Sequence, residues 1–264
     1  MSLLGEERKL RILELVDQRR TVKVRDLSSR LRASDASIRR DLTDLERAGR
    51  LRRTHGGAVS NATATFEPSL AEKLDQRLSA KIAIAIAAAR LVEANSTILL
   101  DAGTTTLQIA RQLKTRRDVN FVTNAPNLAA ELAAANLEVL VTGGSLRPRT
   151  MALVGPLAEN ALAGLQVDKL FLGGNGIDLA KGVTTPNLVE AETKKAMLRC
   201  AKEVVLVADS SKLGQVTFAQ ICSLERLGRF ITDDGASPHL LKAIARRGVD
   251  VIVARVDAVW KSIR

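Results

Sequence analysis

The chain has 264 residues, with 40 Lys and Arg against 29 Asp and Glu, a formal charge of +11 and a pI near 10.2. At 46% apolar residues and a mean hydropathy of +0.03 it is neither collagen-like nor disordered, and it is long enough to bury a core as one large domain or two. With no Tyr, one Trp and five Phe it lacks a base-stacking platform for single strands, which leaves duplex DNA, read by Arg, Lys and small polar groups, among polyanionic partners.

Residues 1–60 carry 15 Lys and Arg against 9 Asp and Glu, a net of +6, and the remaining residues 25 against 20. The basic character is therefore densest at the N-terminus, as in a small DNA-binding module joined to a larger domain. Over residues 6–18, Leu10, Leu13 and Val16 with Ile12 beside them predict an amphipathic helix. Thr21-Val22-Lys23-Val24 alternates like a strand, and Val24, Leu27 and Leu31 mark a second, shorter helix. A third begins at Ser34, a natural N-cap, with Asp35 at the positive end of its dipole and Gly49 placed to end it. Its apolar stripe is Ile38, Leu42 and Leu45; Ala36, Arg40, Thr43 and Arg47 lie opposite, with Ser37 and Arg39 on the flanks. Arg reads guanine bidentately in the major groove, and Ser or Thr reaches bases or phosphates, so this is the recognition helix of a helix-turn-helix. Residues 50–59 predict a hairpin with a Gly56-Gly57 tip, a wing whose Arg52, Arg53 and His55 would grip the phosphate backbone.

Ser37-Ile38-Arg39-Arg40-Asp41-Leu42, then Leu45-Glu46, Gly49 and Arg53-Thr54-His55-Gly56-Gly57-Ala58, resembles the winged helix-turn-helix signature of the DeoR family of bacterial transcriptional regulators. Ala33 and Asp35-Ala36 depart from that pattern near the start of the recognition helix, where base preference is set.

Residues 61–78 shift to small polar residues and predict a linker, leading to a helix over 79–93 and a domain that continues to 264. From there, short apolar runs at 97–100, 119–122, 137–141, 169–172, 204–208, 229–232 and 249–253 alternate with helical stretches. That rhythm predicts an α/β fold with a mostly parallel, doubly covered sheet. Ligands bind such sheets beyond the carboxyl ends of the strands. There the sequence places Asp101-Ala102-Gly103-Thr104-Thr105-Thr106, Asn124, Thr142-Gly143-Gly144, Gly173-Gly174-Asn175-Gly176, and Asp209 to Lys212, with Glu190, Glu192 and Lys194 on a helix between. Gly admits a ligand to the backbone, while hydroxyls and the free N–H groups of a helix N-terminus bind phosphate. The chain has no GxxxxGK[ST] or GxGxxG, so no nucleotide cofactor is expected, and the pattern suits one phosphate plus a polyol.

This region is also similar to the effector domain of the DeoR family, whose fold is similar to ribose-5-phosphate isomerase; the resemblance spans residues 6–253. It implies a repressor of a carbohydrate-utilisation operon, bound to double-stranded operator DNA as a dimer or tetramer and released by a phosphorylated sugar. Carried over residue by residue, it places Asp101, Gly103, Thr104, Thr105, Asn124, Gly144, Glu192, Lys194, Asp209 and Lys212 around the sugar phosphate. Thr106, Gly143 and Gly174 join them as candidates from their loops. Leu213 stands where the family often has an aromatic.

The alternative is an isomerase with an accessory DNA domain, using Asp101, Glu192 or Asp209 as base and Lys194 or Lys212 as electrophile. The intact N-terminal motif favours regulation, with no catalytic residues. Cys200 and Cys222 are too few for a disulfide framework and lack zinc spacing, so they read as buried thiols without a metal. No apolar run approaches 18 residues and the N-terminus lacks a secretion signal, which predicts a cytoplasmic protein free of membrane.

Overall fold

A computed structural model describes residues 5–19, 21–48, 50–54, 56–60, 65 and 67–257, which divide into two compact units, residues 1–66 and 67–264. In the first unit α1 (Gly5–Arg19), α2 (Val24–Leu31) and α3 (Asp35–Arg47) pack on a three-stranded antiparallel sheet. That sheet orders β1 (Thr21–Lys23), β3 (Gly57–Ser60) and β2 (Leu51–Thr54). Ile12, Leu13, Leu15 and Val16 of α1 join Leu27, Leu31, Ile38, Leu42, Leu45, Leu51 and Ala58 in one core. Leu10, expected on that stripe, is instead 61% exposed: the buried face runs through Ile12 and Leu15, and Leu10 falls outside it. Arg32, in the left-handed region at φ 49°, ends α2 and turns the chain into α3. Ser34 caps α3, its hydroxyl accepting the Ser37 N–H at 3.2 Å, and the helix ends at Arg47 with Ala48 as C-cap. Gly49, the expected terminator, lies outside the described residues.

Gly57 shows why the wing needs a glycine. A Cβ there would sit 1.8 Å from the Val22 carbonyl oxygen, where β3 crosses β1. Two ion pairs fasten α1 to α3: Arg8 to the buried Asp41, and Lys9 to Asp44 at 2.9 Å. Asp41→Ala removes the carboxylate that ties Arg8 of α1 to α3, so it should cost the first unit about 1.5–3 kcal/mol, the worth of a hydrogen bond to a charged group. Urea unfolding of wild type and variant measures it, and a loss under about 1 kcal/mol would show that the pair is ornamental.

The second unit starts earlier than composition suggested. Residues 67–78, expected as linker, carry α4 (Leu70–Leu74), set by a capping box between Ser69 and Glu72. Next comes α5 (Leu78–Ala89), whose alanines favour helix over the strand that the Ile-Ala alternation also permits. Strands β4 (Thr97–Leu100), β5 (Asn120–Thr123), β6 (Val139–Val141), β9 (Val167–Leu172), β12 (Ala201–Val207), β14 (Arg229–Asp233) and β15 (Asp250–Ala254) form one parallel sheet. Its order is β15-β14-β12-β9-β4-β5-β6, a doubly wound arrangement that begins at β4 near the centre and grows both ways.

Alternate residues feed two cores. Ile98, Leu100, Phe171, Val205 and Ile231 face α5, α6 (Thr104–Gln112) and α7 (Pro126–Ala133). Leu99, Leu170, Leu172, Leu206 and Phe230 face α8 (Pro156–Ala163), α9 (Leu188–Cys200) and α10 (Pro238–Ala245). A hairpin of β7 (Ser145–Arg147) and β8 (Ala152–Val154) and a small sheet of β10 (Gly176–Asp178), β11 (Gly182–Thr185) and β13 (Ala219–Cys222) complete the unit. The sequence reading missed both, because most of their strands mix polar residues or glycine with apolar ones and form no continuous apolar run. Cys200 is buried and Cys222 half-buried; burial pushes both thiols up, Cys222 to about 12, so neither is a ready nucleophile. Among the described residues no helix is long and apolar enough to cross a membrane.

Candidate nucleic-acid interface and ligand pocket

In the first unit Ala36, Arg39, Arg40 and Arg47 are exposed on α3, opposite Ile38, Leu42 and Leu45; Ser34 is exposed at its cap. Ser37 and Thr43 are half-buried, and each already holds a bond. The Ser34 and Ser37 hydroxyls lie 3.0 Å apart, and Thr43 donates to the Arg39 carbonyl while accepting from Arg53 Nη1, both at 2.8 Å. The Arg53 N–H, on β2, donates to Glu46 Oε1 at 2.8 Å, so the wing is tied to the helix it flanks. Arg52 lies on the same strand, its side chain outside the described atoms, and His55 lies outside the described residues. The result is a helix held from behind by Arg8 and Lys9, whose outward Arg39, Arg40 and Arg47 form no ion pair among the described residues.

In the second unit the loops after β4, β5, β9, β12 and β14 meet at one edge of the sheet. Asp101, wholly buried after β4, accepts the Gly173 N–H on Oδ2 at 2.9 Å and the Lys194 ammonium on the same oxygen. Lys194 Nζ also donates to the Gly173 carbonyl at 3.3 Å. The other oxygen, Asp101 Oδ1, is buried without any hydrogen-bond partner among the described residues. A buried acceptor is costly to leave unmade, and a ligand hydroxyl would satisfy it.

Beside it α6 begins: Gly103 is its N-cap, and the N–H groups of Thr104, Thr105 and Thr106 open its first turn without intrahelical acceptors. Thr106 spends its hydroxyl on the Gly103 carbonyl at 3.0 Å, while Thr105 is the half-exposed member of the three. Asn124 braces the loop, accepting the Ala102 N–H and donating to the Leu153 carbonyl, both at 3.0 Å. Two glycines here serve packing. At Gly144 (φ 115°) a Cβ would lie 2.8 Å from the Val154 carbonyl oxygen, and at Gly174 it would lie 2.7 Å from Val183. Gly143, also at positive φ, has open space around it.

Asp209 caps the short turn Ser210–Lys212, its Oδ1 accepting the Ser211 N–H at 3.1 Å, and so places Lys212. Lys212 is one of three lysines at this edge that no described carboxylate pairs with. Another, Lys81 on α5, is 4% exposed and donates to the Lys73 carbonyl; burial, with Lys212 and Lys73 nearby, pushes its ammonium down to about 8. Lys73 at the end of α4 is likewise lowered, chiefly by burial, with Lys212 and Lys194 adding repulsion. Arg77, in the left-handed region at φ 51°, bonds Ser210 Oγ at 3.0 Å and lies 3.7 Å from Asp209.

Glu192 does not join this group. It is exposed and pairs with Lys195 at 2.8 Å, because it stands half a turn from the buried face of α9 that carries Lys194. The buried carboxylate of that helix is Glu190, pushed up to about 7 mainly by burial. Sequence reasoning missed Lys73, Arg77 and Lys81 as well. Lys81 left a signal, as the one charge among the apolar residues 80–89. Among the described residues no group of three or more His, Cys, Asp and Glu is arranged to hold a metal.

The arrangement is thus a cation cluster and a helix N-terminus beside one buried carboxylate oxygen that no described donor satisfies. Comparison with known proteins gives the same division. A model of the DeoR-like helix-turn-helix domain matches residues 8–64, and a model of the DeoR C-terminal sensor domain matches residues 76–234. The chain is 44% identical over 250 residues to the HTH-type transcriptional regulator GlpR of Haloferax volcanii, covering 95% of this chain and 98% of that protein. It is 36% identical to a putative aga operon transcriptional repressor of Escherichia coli O157:H7, covering 94% and 93%. It is 35% identical to the lactose phosphotransferase system repressor of Streptococcus mutans, covering 86% and 92%. Among solved structures, ribose-5-phosphate isomerase A of Methanocaldococcus jannaschii matches half of the chain and 53% of its own at 19% identity and a TM-score of 0.39.

Proposed function

The chain belongs to the DeoR family of DNA-binding transcriptional regulators, and we propose that it represses a carbohydrate-utilisation operon until a phosphorylated sugar releases it. Family membership makes it a regulator rather than an isomerase, and the outward position of Glu192 removes one of the bases an isomerase reading would use.

One observation carries the choice of ligand. Among the described residues Lys73, Lys81 and Lys212 have no ion-paired carboxylate, on the same edge where Asp101 Oδ1 has no donor. An anion completes the first set and a hydroxyl the second, and a sugar phosphate offers both. Lys81, Lys73, Lys212 and the first turn of α6 take the phosphate; Asp101 and Lys194 take hydroxyls, and Asn124 and Asp209 hold the loops in place. Arg39 and Arg40 read base edges in the major groove, and Arg47, Arg52, Arg53 and His55 contact phosphates of the operator duplex.

Two copies would set two recognition helices on half-sites of a pseudo-palindrome. Exposed Leu157, Leu188 and Val189 at the starts of α8 and α9 are apolar surface suited to such an assembly. Release follows from linkage: the sugar phosphate binds better to the arrangement that fits the operator poorly.

A thermal-shift panel of glucose 6-, fructose 1- and ribose 5-phosphate, glycerol 3-phosphate and inorganic phosphate tests the ligand class. At least one phosphorylated sugar or polyol should raise Tm and weaken binding to an operator selected from random duplexes, while its dephosphorylated form does neither. Equal shifts from phosphorylated and free sugars would discard the reading.

A further inference from the structure

Arg147, on β7 just past the Gly143-Gly144 turn, is shared between two carboxylates. Its Nη1 donates to Glu190 Oε2 at 2.5 Å and to Glu67 Oε1 at 3.1 Å, and its Nη2 to Glu67 Oε2 at 2.6 Å. Glu67 is 7% exposed and is the first residue of the sensor unit. Arg149 reinforces the hold on it, donating Nε to the Glu67 carbonyl and taking the Leu70 N–H on its own carbonyl at 2.7 Å. At the other end, Glu190 stands one helical turn before Lys194, with Oε1 4.0 Å from Nζ, and Lys194 is bonded to Asp101. A continuous line of buried charge therefore runs from the pocket to the residue where the sensor unit begins.

Two carboxylates compete for one guanidinium, on unequal terms. Arg147 and its hydrogen bonds hold Glu67 below its ordinary range against the cost of burial, whereas burial pushes Glu190 up. Glu67 is thus the firm partner and Glu190 the conditional one. Glu190 also faces Lys194, Asp101 and Glu67, so occupancy of the pocket acts on it: an anion near Lys194 favours its protonated form, which hydrogen-bonds Glu67 in place of its ion pair with Arg147. Such a shared guanidinium is an element with two discrete arrangements, which physical coupling requires.

We propose that Arg147 couples the pocket to the start of the sensor unit: occupancy beside Asp101 and Lys194 changes how Arg147 is divided between Glu190 and Glu67, and so how residues 67–70 are held. The proposal rests on the sugar-phosphate reading for the identity of the occupant, but the line of contacts does not. It gives the regulator a route by which a small ligand alters the segment through which the two units are covalently joined. Arg147 is a positioning residue here, because it acts through Glu190 and Glu67 rather than on the ligand.

The test uses the full chain. Hydrogen–deuterium exchange over residues 67–74 is compared in wild type, Glu190→Gln, Lys194→Gln and the exposed control Lys195→Gln. We expect the first two variants to change exchange there by about fivefold, the low end of typical coupling, and the control to match wild type. Unchanged protection in both Glu190→Gln and Lys194→Gln overturns the proposal, and this arm needs no ligand. The second arm takes Glu67→Gln with the selected operator and, as probe, the sugar phosphate giving the largest shift in the panel above. Operator affinity and probe affinity should each stay within about threefold of wild type, while the loss of operator affinity on adding probe shrinks from about tenfold to under twofold. A merely structural Glu67 would lower stability and leave that ratio intact, which would overturn the coupling role. If no sugar phosphate binds wild type, the ligand reading fails while the exchange arm still decides the coupling.

Discussion

Replacing Arg40 or Arg39 with Ala is expected to lower specific operator affinity by roughly 10- to 100-fold each, the worth of one bidentate Arg–guanine contact at about 1–3 kcal/mol. The expectation follows from how α3 is built. Both arginines are exposed, and no described group bonds to the side chain of either, Thr43 reaching only the Arg39 carbonyl, so truncation removes an outward contact without unpicking an inward one. Alanine is a good helix former, and the anchors of α3 remain: the Ser34 cap, Asp41 on Arg8 and Asp44 on Lys9. Arg53→Ala should behave differently. Its guanidinium is tied to Thr43 at 2.8 Å on the wing, where the proposed function has it contact phosphates. It should weaken binding to all duplexes alike and reduce the salt slope by about one. Gel shifts with the selected operator and a scrambled duplex separate the two patterns, and the Tm shift from a sugar phosphate should be the same in every variant. If Arg39→Ala and Arg40→Ala both keep operator affinity, α3 is not the reading helix.

The parts of the molecule written in periodicity were legible in the sequence. All seven strands of the parallel sheet stood out as short apolar runs: the inner strands are mostly buried on both faces, and the edge strands β6 and β15 stay apolar although partly exposed. The recognition helix was legible because a cap, an apolar stripe and a basic face coincide over thirteen residues. Shorter features were not. Leu10 was placed on the wrong face of α1, since one helical turn of apolar residues fits two neighbouring stripes. Most strands of the β7–β8 hairpin and of the small sheet interleave polar residues or glycine with apolar ones and so make no apolar run, and α4 is specified by a capping box inside an otherwise polar stretch.

The candidate pocket was legible where loops follow strands, which brings Asp101, Thr104 and Asp209 to one sheet edge, and not where helices fold back over them. Choosing between Glu190 and Glu192 requires knowing which face of α9 is buried. That depends on packing against the sheet, since α9 is apolar on more than one side. Lys81 and Arg147 reach the pocket edge from elements distant in sequence, and no local pattern ties them to Asp101.

Lys81→Met is expected to move ligand binding and stability in opposite directions. In the free protein the Lys81 ammonium is buried with Lys73 and Lys212 nearby; Asp209 and Asp75 are its nearest compensation, and neither pairs with it. Its pKa falls from 10.5 to about 8. At about 1.4 kcal/mol per tenfold, keeping that charge costs the fold about 3 kcal/mol at neutral pH. The unfolded chain binds the proton more tightly than the fold does. The cost is therefore fully present below pH 8 and disappears as pH rises to 10.5, so wild-type stability should climb across that window. Lys73 moves in the same direction, so the diagnostic quantity is the difference between wild type and variant. Lys81→Met fills similar space without the charge and loses only the bond to the Lys73 carbonyl. Its stability at pH 7 should be unchanged or higher by up to about 2 kcal/mol, with a shallower rise above pH 8. Binding pays the reverse. A phosphate beside Lys81 restores its charge, so wild type should take up a proton on binding near pH 8 and lose affinity above it. The variant should bind sugar phosphate roughly 10- to 100-fold more weakly and take up less proton, a charge-assisted bond being worth about 1.5–3 kcal/mol. Urea unfolding from pH 6.5 to 10 and calorimetry in buffers of differing ionisation enthalpy measure both. A variant that loses stability yet keeps its affinity would make Lys81 a prop of α4 and α5 and move the phosphate elsewhere.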